Sequence, residues 1–213
     1  MTVTLQAPAH TALQVRGVTK VFDSEDGRTA ALHGVDLDVR RGEFVTVVGH
    51  SGCGKTTLLN IVAGLDTPTS GSVEVDGRSA LMFQDPTLLP WLTARQNVEL
   101  ALKLRGVPRR ERRTQADEFL NVVRLGDAAT RRPHELSGGM KQRVNLARCL
   151  AQNADLVLMD EPLGALDAMT RDLLHDEIER VVRERDLTVM FVTHNMREAV
   201  RLGDRVILMA YGK

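Results

Sequence analysis

The segment that most restricts the fold is an octapeptide that fits the pattern G-x-x-x-x-G-K-[ST]. Its residues are Gly49, His50, Ser51, Gly52, Cys53, Gly54, Lys55 and Thr56. An apolar run at residues 44–48 precedes it, and a helical pattern at residues 57–63 follows. A tight strand-to-helix turn without a ligand is the alternative interpretation. The strand, glycine-rich loop and helix in this order predict a phosphate site in an α/β fold.

The residue types of this octapeptide suit a nucleoside triphosphate. Glycines let backbone N–H groups curl around phosphate oxygens, and the following helix N-terminus adds a partial positive charge. Lys55 supplies a mobile cation for the β- and γ-phosphates, and the Thr56 hydroxyl is placed to ligate Mg²⁺. Thr57 is expected near the α-phosphate. The octapeptide therefore predicts binding of ATP together with Mg²⁺.

Further short apolar or β-branched runs predict strands along the whole chain. They cover residues 13–18, 35–39, 73–75, 81–83, 156–159, 189–193 and 206–209. Strands that alternate with helices after residue 42 favour a mostly parallel sheet, and the earlier strands favour an antiparallel β part. Leucine and arginine at helical spacing between Asn97 and Arg132 predict an inserted helical subdomain. Its arginines fit either a solvated helix face or a phosphate-binding patch; they are Arg109, Arg110, Arg112 and Arg113.

Two carboxylates end the apolar run at residues 156–159, and a histidine follows another run. Asp160 and Glu161 stand at the carboxyl end of a buried strand, where open α/β sheets bind ligands. Asp160 is expected to hold Mg²⁺, and Glu161 to polarise an attacking water. His194 follows residues 189–193 and is expected to orient Glu161 or donate to the γ-phosphate. Solvated strand ends and a structural histidine are the alternatives.

A second candidate anion site precedes the predicted helix at residues 141–151. Ser137, Gly138 and Gly139 offer a capping hydroxyl and backbone N–H groups without side-chain bulk. One ATP needs only one phosphate loop. The sequence therefore predicts a nucleotide shared between two subunits, with Lys55 from one and Ser137 from the other.

Bulk composition limits the remaining classes. The 213 residues carry 28 basic and 28 acidic side chains, which removes the simplest electrostatic argument for a nucleic-acid partner. The longest apolar stretch falls short of the roughly 20 residues that span a bilayer. Cys53 and Cys149 are too few for a disulfide framework, so reduced thiols are expected. The first residues lack the features of a secretory signal, which favours the cytosol.

Together with the two anion sites, the sequence LVLMDEP, Gln84, Asp167 and His194 resemble the nucleotide-binding domain of an ABC transporter over residues 13–209. The resemblance implies a single P-loop NTPase domain of ABC type over residues 1–213, with a helical subdomain at residues 97–152. It implies that Phe22 stacks on adenine, that Gln84 senses Mg²⁺ and the γ-phosphate, and that Asp167 crosses a dimer interface. A core role for Phe22 and a surface-loop role for Gln84 are the alternatives. The chain ends sooner than such domains usually do, so a fragment is one interpretation.

Residues 83–93 and the LSGGM segment resemble the branch that imports nitrate, sulfonate and taurine. Met140 departs from the glutamine common in the wider family, and Trp91 fits either a packing anchor or a permease contact. The resemblance implies a homodimeric ATPase held by permease subunits at the cytoplasmic face of the cell membrane, with a separate solute-binding protein and no nucleic acid. A soluble ABC-type ATPase acting on nucleic acid or the ribosome is the alternative. A degenerate regulator would have lost Lys55, Glu161 or His194.

Overall fold

The computed structural model describes residues 11–24, 27–164 and 166–210, and arranges them around two sheets. The first is antiparallel with strand order β2-β1-β4, and the second is parallel with order β5-β6-β7-β3-β8. The strands are β1 (Thr11–Ser24), β2 (Gly27–Arg40), β3 (Phe44–Gly49), β4 (Ser70–Val75), β5 (Ser79–Met82), β6 (Leu156–Asp160), β7 (Thr188–Thr193) and β8 (Arg205–Met209). An antiparallel N-terminal part and a parallel core confirm the predicted fold class.

The antiparallel hairpin is longer than the sequence pattern predicts. The predicted strands at residues 13–18 and 35–39 cover most of the buried apolar side chains of β1 and β2 but miss Ala12 and Leu32. Register shifts interrupt the ladder between Val15 and Val18 and again between Val18 and Lys20. These irregularities break the period-2 alternation, and most of the outer half is half-buried or exposed, so its residues carry no apolar signal.

Every residue of β3, β6 and β7 is buried, as expected for the centre of a parallel sheet covered on both faces. One face of this sheet packs with β1, β2 and the first helix, and the other packs with the later helices. Along β6, for example, Leu158 belongs to the first core and Met159 to the second. This alternation fixes the strand register and hence which residue stands at each strand end.

Six α-helices complete the architecture of the described residues. They are α1 (Lys55–Val62), α2 (Ala94–Leu104), α3 (Arg109–Val122), α4 (Gly138–Ala151), α5 (Ala168–Arg185) and α6 (Met196–Leu202). Helices α2, α3 and α4 pack on one another. In the chain they lie between β5 and β6, which is where the sequence predicts the helical insertion. Helix α4 begins three residues before the predicted start, because Ser137 caps it.

The arginine run lies on α3, and its side chains are exposed except for that of Arg112, which is half-buried. Arg112 donates to the carbonyl of Val107, and Arg110 pairs with Glu111. These contacts favour the solvated helix face over the phosphate-binding patch. Among residues 11–24, 27–164 and 166–210, no helix combines the length and the apolar character needed to cross a membrane.

Candidate functional site

The parallel sheet brings the predicted chemistry to one edge. Gln84 follows β5, Asp160 ends β6, His194 follows β7 and Gly49 ends β3. These four strands are consecutive neighbours in the order β5-β6-β7-β3, and each neighbouring pair is parallel. Their carboxyl ends therefore share one edge, which is where open α/β sheets bind ligands.

The phosphate loop is held tightly against the hairpin. Gly54 adopts φ 96°, and a Cβ at this position would overlap the carbonyl of Ala31 on β2. Only glycine meets both conditions without strain. Cys53 is buried beneath the loop, whereas His50, Ser51 and Gly52 are exposed. The loop therefore presents backbone toward solvent at the start of α1.

Lys55 is the first residue of α1 and is 5% exposed. Its Nζ donates to the carbonyl oxygens of Gly49 at 2.8 Å and His50 at 3.0 Å. The same Nζ lies 4.0 Å from Oε1 of Glu161. The buried ammonium of Lys55 is thus held by two carbonyls of the phosphate loop, and it faces the carboxylate of Glu161, the residue that follows β6.

Thr56 and Asp160 form the expected pair of oxygen donors. The Thr56 hydroxyl donates to Oδ1 of Asp160 at 3.3 Å. Burial raises the pKa of Asp160, while the hydrogen bond from Thr56 opposes that rise. A hydroxyl and a carboxylate are donors that Mg²⁺ accepts, and a cation would offset the cost of burying the charge. These residues therefore fit the metal that the sequence implies, and Thr57 follows them, half-buried, in α1.

Glu161 and His194 meet across the edge. Nδ1 of His194 lies 2.9 Å from Oε2 of Glu161, within hydrogen-bond distance. Glu161 has φ 41°, which is uncommon for a residue with a side chain, and its N–H donates to the carbonyl of Val192 at 2.9 Å. Because of this strained conformation, the chain leaves the direction of β6 at Glu161.

The segment around Gln84 is held by α4. The carbonyl of Gln84 accepts from Nε2 of Gln142 at 2.7 Å, and Arg148 donates to the carbonyls of Pro86 and Thr87. A Cβ at Gly164 would lie 3.4 Å from Nε2 of Gln84 and 3.7 Å from Oε2 of Glu161. The Gln84 amide and the Glu161 carboxylate therefore flank the same glycine.

The second candidate anion site has different surroundings from the phosphate loop. It comprises Ser137, Gly138 and Gly139 at the start of α4, and Asp167 lies beside it at the start of α5. The Ser137 Oγ accepts from the N–H of Met140 at 3.3 Å, and Asp167 accepts from the N–H of Thr170 at 3.0 Å. Hydrogen bonds from Thr170 hold the pKa of Asp167 below its usual value. A Cβ on Gly139 would overlap the Thr170 methyl, and one on Gly138 would contact Leu166. The start of α4 thus packs on the start of α5, whereas the phosphate loop contacts Glu161 and β2.

Both aromatic side chains singled out in the sequence are exposed. Phe22 on β1 is 44% exposed, so it is not a core residue and its ring is accessible. Nζ of Lys20 lies 5.0 Å from the centroid of that ring. Trp91 is 67% exposed, which rules out the packing-anchor interpretation.

The sequence pattern missed the side chains that support the site. Gln142, Asn145 and Arg148 hold residues 83–87 from α4, and Arg171 and Glu198 connect α5 with α6. Gln142, Asn145 and Glu198 are polar yet buried. Polar residues at buried positions of helices were the available signal, but their spacing alone does not name their partners.

A phosphate loop, two carboxylates and a histidine at the edge of a parallel sheet, with an antiparallel sheet and a helical insertion, define an ATP-binding P-loop NTPase. The family model described as ABC transporter matches residues 32–164, and the chain belongs to that family.

Comparisons with known proteins agree with this assignment. The chain is 46% identical over 209 residues to the bicarbonate transport ATP-binding protein CmpC of Synechocystis, covering 93% of this chain and 31% of the relative. It is 48% identical over 202 residues to the taurine import ATP-binding protein TauB of Mesorhizobium japonicum, covering 91% of this chain and 79% of the relative. A dimeric post-hydrolysis state of an ATP-binding cassette with ADP and Pi superposes with TM-score 0.83 at 36% identity, covering 92% of this chain and 94% of that one.

The chain therefore spans about a third of the length of CmpC but most of the length of TauB. The nitrate import protein NrtC of Synechococcus elongatus, 46% identical over 211 residues, is matched over 94% of this chain and 32% of its own length. These names describe transport proteins, and they favour the transporter reading over the nucleic-acid alternative.

Proposed function

We propose that this chain binds Mg-ATP and hydrolyses it to ADP and phosphate, as the ATP-binding subunit of a membrane transporter. One observation carries the proposal: Lys55, Asp160, Glu161 and His194 converge at the ends of three neighbouring parallel strands. A cation, a metal ligand, a base and its orienting partner are the parts that phosphoryl transfer to water requires.

Binding is assigned to the phosphate loop and the exposed aromatic ring. The N–H groups of Gly52, Cys53 and Gly54 would surround the phosphate oxygens, and Lys55 would exchange its loop carbonyls for the β- and γ-phosphates. Phe22 is accessible on the hairpin whose other strand contacts the phosphate loop at Ala31, which suits stacking on the adenine.

Hydrolysis is assigned to Glu161 and His194. The Glu161 carboxylate would accept a proton from water as the water oxygen bonds to the γ-phosphorus. The bond from that phosphorus to the bridging oxygen breaks, and ADP leaves with the bonding electrons. His194, hydrogen-bonded to Glu161, would hold the carboxylate in line, and Gln84 would face the same point from β5.

Thr56 and Asp160 would hold Mg²⁺, with Gln84 as a further oxygen donor. When bound, the ion neutralises charge on the β- and γ-phosphates. The raised pKa of the buried Asp160 supports this assignment, because a cation beside the carboxylate restores its charged form.

We further propose that two copies of the chain share each nucleotide. Within one chain, Gly138 and Gly139 lie beside Leu166 and Thr170, and Ser137 caps the same helix, whereas Lys55 contacts Gly49, His50 and Glu161. The exposed start of α4 and Asp167 would then meet the nucleotide of the second copy. The dimeric cassette similar to this chain supports that arrangement.

The permease is proposed to dock beside the Gln84 segment. A groove of about 570 Å³ is lined by Leu65, Leu81, Phe83 and Leu104 together with the basic Arg78 and Arg105. Leu65, Phe83 and Leu104 are 63%, 40% and 81% exposed, so the groove presents a grouped apolar surface to solvent. Because Phe83 lines the groove and precedes Gln84, a helix seated there would sense changes at the γ-phosphate. Trp91, 67% exposed, follows Gln84 by seven residues in the chain.

The solute is proposed to be a small anion. The relatives are named for bicarbonate, nitrate and taurine, which share a compact, oxygen-rich anionic group. Recognition of the solute would belong to a separate binding protein and to the permease, and this chain would work at the cytoplasmic face of the membrane.

The direct test measures phosphate release by the purified chain with ATP and with or without Mg²⁺, in parallel with the Glu161→Gln variant. We expect Mg²⁺-dependent release that the variant loses. Binding of ATP without release under every condition, including reconstitution with the permease, would contradict the enzyme assignment.

A further inference from the structure

A buried carboxylate stands behind the candidate catalytic pair. Glu198, in the first turn of α6, is 5% exposed. Its Oε2 accepts from the hydroxyl of Thr193 at 2.6 Å, and its Oε1 accepts from Nδ2 of Asn195 at 3.1 Å. Thr193 and Asn195 flank His194 in the chain. Glu198 therefore accepts hydrogen bonds from both chain neighbours of the histidine.

Arg171 connects the same carboxylate to a second loop. Its Nε lies 3.6 Å from Oε1 of Glu198, and its Nη2 donates to the carbonyl of Leu166 at 2.7 Å. Its Nε also contacts the carbonyl of Leu163 at 3.5 Å. Leu163 and Leu166 belong to the segment that begins at Glu161 and ends at Asp167. Arg171 thus ties Glu198 to the backbone that follows the proposed base.

Arg171 and His175 are the two basic side chains that face Glu198, and Arg171 is the one that is charged. His175 Nε2 lies 3.9 Å from Oε1 of Glu198, and its Nδ1 lies 3.8 Å from Oδ1 of Asp172. Burial lowers the pKa of His175, with Arg201 and Arg171 adding to this effect against the opposing pull of Glu198 and Asp172. The lowered pKa favours the uncharged imidazole, and the guanidinium of Arg171 is the cation paired with the buried carboxylate.

We propose that Glu198 is a positioning residue that fixes His194 against Glu161 by joining the loops that carry them. The inference rests on the proposed function, because it assigns a means of holding the same catalytic pair. Glu198 touches no reacting atom; it acts through Thr193 and Asn195 on one side and through Arg171 on the other. A movement of the segment ending at Asp167 would reach the histidine through this bridge.

The physical basis is the cost of leaving a buried charge without its partners. A carboxylate at 5% exposure needs its hydrogen bonds and its cation together, so the two loops are held in one relative position. Glu198→Gln keeps the size of the side chain and removes the charge that Arg171 pairs with. The variant should fold, but the loops should separate enough to misplace His194, and misplacements of about 1 Å can cost 10²-fold in rate.

The test is a double-mutant cycle in the full chain. The value of kcat is measured at saturating Mg-ATP for the parent, Glu198→Gln, His194→Ala and the double variant. We expect Glu198→Gln to lower kcat by about 10-fold in the parent and by less than about 2-fold in His194→Ala, because its effect passes through the histidine. KM for ATP should stay within about 2-fold, since the phosphate loop is untouched.

A merely structural role gives a different pattern. If Glu198 only stabilised the start of α6, Glu198→Gln would lower the melting temperature and reduce kcat by the same factor in both backgrounds. Equal factors, or an unchanged kcat in the parent background, would overturn the proposal. Glu179→Gln removes the half-buried partner of the exposed Arg183 on α5, far from His194 in the chain, and serves as the control, with kcat unchanged.

Thr193→Val covers the case in which Glu198→Gln does not fold. It preserves the branched shape in β7 and deletes the hydroxyl that donates to Glu198 and accepts from the N–H of Asn195. The same dependence on His194 is expected, and its absence overturns the proposal. Failure of the proposed function is separate: there the parent releases no phosphate, or Glu161→Gln and His194→Ala leave kcat unchanged.

Discussion

Helices α1 and α4 both begin at a candidate anion site, yet their first turns are built differently. Helix α1 starts after Gly54, and no side chain among the described residues caps it. Helix α4 starts after Ser137, whose hydroxyl accepts from the N–H of Met140. Neither first turn contains an acidic residue. Both ends therefore keep their positive partial charge for a ligand.

The surroundings of the two helix starts separate their roles. A lysine, two carboxylates and a histidine gather at α1, so that end has the groups for binding and for chemistry. At α4 the neighbours are Leu166 and Thr170, with Asp167 between them in the chain, and neither a lysine nor a histidine is among these neighbours. An anion site without a catalytic group of its own would serve, on the shared-site proposal, a nucleotide bound mainly by the other copy of the chain. The difference between the helix starts is the structural basis of the shared-site proposal, and four measurements challenge it.

The largest effect is expected at α1. Glu161→Gln should lower kcat by roughly 10²- to 10⁴-fold, the usual contribution of a positioned base, while ATP binding persists. Phosphate release and nucleotide affinity are measured on the same preparation. Because hydrolysis should separate the subunits, the variant should also accumulate as an ATP-bound dimer in size-exclusion chromatography. Glu118→Gln, at an exposed position of α3, is the control and should match the parent. A parent-like kcat for Glu161→Gln would show that another group is the base.

Lys55→Ala should weaken ATP binding by about 10²-fold, because charge-assisted contacts to the phosphates each contribute about 1.5–3 kcal/mol. Isothermal titration with a non-hydrolysable ATP analogue measures the change. Lys103→Ala alters an exposed lysine of α2 and controls for the loss of one positive charge. Equal affinities for the Lys55→Ala variant and the parent would contradict the assignment of the phosphate loop.

The sequence predicted this edge well for a physical reason. In a parallel sheet the carboxyl ends of neighbouring strands meet, so Asp160, Glu161 and His194 could be placed together once their strands were recognised. The apolar runs of β3, β6 and β7 gave clear strand signals because both faces are buried. Residue type and strand position together were sufficient.

Other parts could not be predicted because their signal lies in tertiary contacts. Most of the outer half of β1 and β2 is half-buried or exposed, and register shifts interrupt the ladder, so its apolar residues show no regular alternation. Glu198 follows Arg197 in a short helix and resembles a solvent-facing charge until Thr193 and Asn195 are seen around it. The strained φ of Glu161 has no sequence signal either. Roles that depend on what covers a residue need the folded chain.

The shared-site proposal predicts complementation between two inactive variants. Lys55→Ala homodimers lack the phosphate lysine in both sites, and in Ser137→Arg homodimers bulk and charge block both anion sites at the start of α4. In a heterodimer one site collects both lesions and the other has neither. Activity should therefore return, to at most about half of the parent value if the sites work independently.

The measurement uses tagged heterodimers purified with the permease in detergent. The tags are needed because subunit exchange would otherwise yield a mixture of heterodimers and homodimers. Wild-type heterodimers with the same tags are the control. Verified heterodimers that stay as inactive as both homodimers would mean that the sites fire only together or that no site is shared. A Ser137→Arg chain that is fully active alone would remove the role assigned to α4.

The smallest effect tests the cap that distinguishes α4 from α1. Ser137→Ala removes the acceptor for the N–H of Met140 and should destabilise the chain by about 1 kcal/mol, the usual loss at such a cap. For a domain of this size that lowers Tm by about 2–4 °C. The measurement is made without nucleotide, so that only the cap is lost.

Two further variants serve as controls for the cap. Ser72→Ala, at an exposed position of β4, should leave Tm within about 1 °C of the parent. Thr93→Ala removes the equivalent cap of α2 and should reproduce the loss. An unchanged Tm for Ser137→Ala, beside a lowered Tm for Thr93→Ala, would mean that the Ser137 hydroxyl does not cap α4 in solution. The starts of α1 and α4 would then differ in their surroundings alone.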